Sequence, residues 1–61
     1  MSVWKLNVIS HEDGLIRPLY VEAETEYDAE LTALDEYYHP VGHAFRVPTG
    51  EIPTNILRST P

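Results

Sequence analysis

Three histidines and a run of carboxylates are the residues best equipped for chemistry. His11-Glu12-Asp13 sets an imidazole beside two carboxylates, and His39 and His43 stand four residues apart, a spacing that on a helix would aim both rings at one zinc ion. Pro40 and Gly42 lie between those two histidines and deny them helical geometry, so they read as partly exposed side chains and His11-Glu12-Asp13 as a polar turn. The chain has no cysteine, hence neither a disulfide framework nor a thiolate metal cluster. It also lacks a Gly-rich phosphate loop, a G-x-S-x-G elbow and a paired-histidine helix motif. This inventory predicts no catalysis, no metal and no cofactor.

The remaining chemistry is ionic. Ten acids against four bases give a net charge of −6. Between Arg17 and Arg46 there is no Lys or Arg, while Glu22, Glu24, Glu26, Asp28, Glu30, Asp35 and Glu36 fall in that window. Such a field repels DNA and RNA and speeds encounter with basic protein surfaces. The bases, scattered as Lys5, Arg17, Arg46 and Arg58, cannot form the stripe that phosphate contacts need. The plainer alternative for the acids is a solvated helix face that keeps a small protein in solution. No apolar run approaches the roughly 18 residues needed to cross a bilayer, and "MSVWKLNVIS" lacks the pattern of a secretion signal. The expectation is a monomer in the cytoplasm, without membrane or direct nucleic-acid contact.

Sixty-one residues suffice for one small domain, too small for a deep, dry pocket. Residues 3–9, "VWKLNVI", alternate as a strand with Trp4, Leu6 and Val8 on one face. Asp13-Gly14 predicts a tight hairpin turn, and 15–22, "LIRPLYVE", a second strand whose Pro18 suits a sheet edge. In 26–38, "EYDAELTALDEYY", Tyr27, Leu31, Leu34 and Tyr38 fall on one helical stripe, with Thr25 as N-cap and Pro40 and Gly42 as the stop. Residues 43–47, "HAFRV", form a third strand with Phe45 and Val47 inward and Arg46 outward. The predicted class is α+β: a β-β-α-β domain over 1–48, its three-stranded antiparallel sheet in the order 2-1-3 with one helix on one face. An irregular proline-containing tail follows over 49–61. The predicted core is Trp4, Leu6, Val8, Leu19, Val21, Tyr27, Leu31, Leu34, Tyr38, Phe45 and Val47.

Several pieces of this layout, in order, resemble the small host RNA polymerase inhibitors of T-odd lytic coliphages, the gene-two product family. They are Trp4 opening the first strand, Pro18 and Tyr20 in the second, "AET" at 23–25, Asp28 and Leu31 in the helix, "YHPVG" at 38–42, and Arg46-Val47. The resemblance implies the same sheet and helix, and as partner the jaw of the bacterial RNA polymerase largest subunit. The primary sigma factor is an alternative contact. Binding would occur in the downstream DNA channel of the host cytoplasm and prevent formation of the open promoter complex. It also implies Arg46 as the anchoring arginine, with Glu24, Asp28, Asp35 and Glu36 as an acidic band.

The chain departs from the family in four ways. The family carries two third-strand arginines where this chain has Arg46 alone. Arg46 stands one residue nearer the glycine, a slip that reverses a strand side chain's face unless a bulge intervenes. Arg17, counted with the binding residues, lies where the family tends to have an acid. The helix start carries an apparent one-residue insertion near Glu26. Another small acidic phage antagonist, such as an anti-CRISPR or a DNA-mimicking nuclease inhibitor, shares the same charge and plan. A small enzyme subunit or ligand-binding module would need a concave polar site that no motif supplies.

Overall fold

The computed structural model describes residues 2–59; Met1, Thr60 and Pro61, the outermost residues of the predicted domain and tail, lie outside them. The alternation of the first segment produces β1 (Ser2–Ser10), whose Leu6 and Val8 are buried on one face while Lys5 and Asn7 are exposed on the other. Residues 11–15 turn the chain with Gly14 at φ 70°, and β2 (Ile16–Ala23) returns antiparallel. The turn is longer than a two-residue hairpin: Gly14 N–H donates to the Ser10 carbonyl at 2.9 Å and Ser10 N–H to the Leu15 carbonyl at 3.2 Å. Val21 pairs with Trp4 and Leu19 with Leu6, so one face of the two strands is apolar across these rows, with Arg17 opposite Val8 at its hairpin end. Fully burying Val8 and Val21 contributes about 1.5–3 kcal/mol each.

The helix α1 (Glu26–Asp35) starts where expected: Thr25 Oγ1 accepts from Asp28 N–H at 3.1 Å. It ends earlier than predicted. Tyr37 takes a left-handed conformation, φ 65°, directly after the Glu36 cap, and β3 (Tyr38–Val47) begins at once. Pro40 and Gly42 therefore lie inside an edge strand rather than stopping the helix. Pro40 is tolerated there because an edge residue needs no outward N–H.

The helix is also rotated relative to expectation. Ala29 and Ala33, one turn apart, are buried against Leu6, Val8, Val21 and Ala23, whereas Tyr27, Leu31 and Leu34 are 67%, 44% and 48% exposed. Small side chains win the interface because they let the helix backbone approach the sheet closely, giving van der Waals contact over the whole crossing. Tyr38 reaches the core margin from β3, not from the helix.

The β3 faces are likewise exchanged. Pairing runs Asn7↔Val41 and then Lys5↔Phe45, so β3 gains two residues against β1. An insertion of two preserves face parity: Phe45 and Val47 lie on the sheet face away from the helix, with Ala44 against the core on the helix side. Phe45 is 64% exposed. Arg46, opposite Trp4, has its backbone on the helix-side register, at the outer edge.

A fourth strand corrects the three-stranded antiparallel picture. After a short 3-10 turn (Thr49–Glu51), β4 (Leu57–Arg58) pairs parallel to β2, making a mixed sheet ordered β3-β1-β2-β4. The predicted core of that order, 2-1-3, is retained within it. Pro18 needs no edge strand after all, because β4 reaches only Val21 and Glu22 and leaves that stretch of β2 open. Residues 48–56 link the two outer strands, and Pro48 and Glu51 line a shallow groove with Lys5 and Tyr20 on the helix-free face. Val3, which belongs to that face, is buried there.

Ala33→Leu is expected to lower the unfolding free energy by about 1–3 kcal/mol through overpacking. Leu34→Ala should cost less than about 1 kcal/mol. Urea denaturation of the two variants measures both, and the reverse ranking would mean that the large side chains hold the helix.

Candidate functional site

Pairing of β1 with both neighbours places side chains in transverse rows on the helix-free face. Lys5 lies between Phe45 on β3 and Tyr20 on β2; the next row is Val41, Asn7 and Pro18, and the next His39, Ile9 and Ile16. Phe45, Val41, Ile16 and Pro18 are exposed, so this is an open apolar and aromatic surface. Lys5, Tyr20, Phe45 and Arg46 line one shallow groove of about 290 Å³ at its β3 edge.

The charges of this groove differ from those elsewhere. Arg17 pairs with Asp13 at the hairpin, and Arg58 Nε lies 3.8 Å from Glu22 Oε1. Among the described residues, neither Lys5 nor Arg46 has a carboxylate partner; Arg46 Nε donates to the Ser2 hydroxyl at 3.0 Å. That bond orients the guanidinium at the strand edge and uses one of its five N–H donors. Two cations beside the exposed Phe45 and the half-buried Tyr20, with the carboxylate Glu51 at the same groove, can hold a carboxylate-bearing protein surface, the arginine fork supplying charge-assisted bonds.

What holds β3 here is a carboxylate on the helix. Glu26 Oε2 accepts from Ala44 N–H at 2.9 Å, and His43 Nδ1 lies 3.9 Å from the same oxygen. The contact joins the first turn of α1 to the irregular part of β3, just before Phe45 and Arg46. Gly42, at φ 73°, supplies the backbone conformation the irregularity requires.

The predicted site residues do not form one cluster. Arg17, opposite Val8, and Arg46, opposite Trp4, are separated by four positions of β1, about 13 Å along the strand. Asp28, Asp35 and Glu36 line a separate groove between α1 and β4, together with Arg58. Glu24 is exposed between β2 and the helix. Lys5, Tyr20 and Phe45 were not predicted as site residues; the alternation of Lys5 with Trp4 and Leu6 was the available signal, whereas Phe45's size argued for the core. His11-Glu12-Asp13 forms the turn itself: Asp13 Oδ1 accepts from Leu15 N–H at 3.0 Å, and Glu12 N–H donates to Ser10 Oγ at 3.3 Å.

Glu26→Ala is expected to cost about 1–3 kcal/mol, because a partly buried Ala44 N–H loses a charged acceptor. Glu26→Gln should recover part of it, and amide exchange at Ala44 is the direct measure. In comparison with known proteins, the chain matches no family model, no curated protein and no solved structure.

Proposed function

We propose that the protein is a phage-encoded inhibitor of bacterial RNA polymerase that acts by occupying a protein surface. The observation that carries this reading is Arg46: exposed at the β3 edge, without a carboxylate partner among the described residues, and beside Lys5 and the exposed Phe45. An ordinary surface arginine in so acidic a chain would be expected to find an internal carboxylate, as Arg17 and Arg58 do. The motif order from Trp4 to Val47 supplies the choice of partner, the largest-subunit jaw in the downstream DNA channel.

In that complex, Arg46 and Lys5 would meet carboxylates of the jaw while Phe45 and Tyr20 cover its apolar surface. The acids Asp28, Asp35 and Glu36 belong to the opposite, helix-bearing side. They would remain turned from the contact, where their charge opposes the approach of downstream DNA. Inhibition would therefore combine occupancy with electrostatic exclusion, and no bond is made or broken.

The test is retention of purified bacterial RNA polymerase by the immobilised protein, followed by an open-complex assay on a promoter. Arg46→Glu is expected to weaken both by at least about tenfold, with an unchanged circular dichroism spectrum. Failure of the wild-type protein to retain polymerase would overturn the reading. Recovery of a nuclease or defence complex from lysate instead would favour the alternative antagonist. Retention by Arg46→Glu at full strength would displace the contact from this edge.

A further inference from the structure

The helix turns its largest side chains to solvent. Tyr27, Leu31 and Leu34, spaced i, i+4 and i+7, form an outward stripe about two turns long. Beside it runs an open groove of about 500 Å³ between α1 and β4, with Leu31 and Leu34 as its apolar part and Asp28, Asp35 and Glu36 as acidic margins. Glu30 flanks the stripe on the other side by helical position. Among the described residues, the one base lining the groove, Arg58, lies against Glu22. The buried contact of the helix is made by Ala29 and Ala33, and an exposed apolar row framed by charge is the kind of patch that marks interaction sites.

The surrounding charge decides the occupant. A second copy pressed stripe to stripe would bring two rows of carboxylates together, and among the described residues lining this groove the base is Arg58, already beside Glu22. A partner with cations framing an apolar row meets both features at once. We propose that this face docks a basic amphipathic helix of a partner protein, its apolar side chains seated on Leu31, Leu34 and Tyr27 and its lysines or arginines beside Asp28, Glu30, Asp35 and Glu36. The site lies across the sheet from the row of Phe45, Lys5 and Tyr20, so it neither needs nor excludes the polymerase contact. One small chain can thereby hold two surfaces.

The probe is a labelled peptide of about four helical turns, with leucines along one face and lysines elsewhere, followed by fluorescence anisotropy with the full-length protein. Binding should tighten as salt is lowered. Leu31→Ser with Leu34→Ser, and separately Tyr27→Ser, should weaken it, the double variant by at least about tenfold, with an unchanged circular dichroism spectrum at the assay temperature to show that the helix is retained. Asp28→Asn with Asp35→Asn should weaken binding and flatten its salt dependence, and Phe45→Ser should leave it unchanged. The proposal is overturned if the lysine-leucine peptide fails to bind, or if a scrambled peptide of the same composition binds equally well. Indifference to the Leu31 and Leu34 changes would also overturn it. So would concentration-dependent self-association of the protein that those changes abolish, which would assign the stripe to a second copy.

Discussion

The crossing of α1 over the sheet depends on alanine. Ala29 and Ala33 meet Ala23 and the β1–β2 valines with little side chain between the backbones, so the helix sits close against the sheet in the setting that turns these two residues inward. That setting fixes the rest: Glu26 is brought to the β3 backbone, Thr32 and Glu36 are turned toward β4, and Tyr27, Leu31 and Leu34 can only point outward. A larger residue at either alanine would lift the helix and loosen the contacts on both its sides. In a chain of this size, close approach substitutes for the bulk that a larger domain would bury.

The same crossing divides the molecule by charge. Acids of α1 occupy one side of the sheet, while Lys5 and the aromatic rings occupy the other, with Arg46 at the edge between them. Among the described residues, the outer side of the helix and the helix-free face of the sheet both carry exposed apolar side chains, with Pro48 and Glu51 at the margin of the second. A protein with two unlike open faces is suited to recognition by surfaces of unlike chemistry, and it needs no enclosed pocket to do so.

The β1 and β2 alternation, the Thr25 cap and the α+β class were readable from residue types because each depends on near neighbours in the chain. The helix face was not. Tyr27, Leu31 and Leu34 obey the same helical period as Ala29 and Ala33, and side-chain size favoured the wrong row; only the backbone approach to Ala23 and Ala44 decides between them. The β3 face failed for a related reason, since Ala44 fills the narrow slot beside Glu26 and leaves Phe45 outside. Two residues of β4 are too few to show a period. Arg46 was identifiable as a candidate, but its surroundings depended on a pairing that no local pattern records.

Pro40 and the irregularity at Gly42 lie on the outermost strand, and Pro18 lies on the stretch of β2 that β4 leaves open. Both open edges of the sheet are thereby interrupted as templates for a further strand, by a missing donor on each and by a broken spacing on one. Exposed rings and leucines that would otherwise invite strand-by-strand stacking into fibrils are carried on a sheet that cannot readily be extended. Stickiness is confined to side chains, and the backbone remains inert.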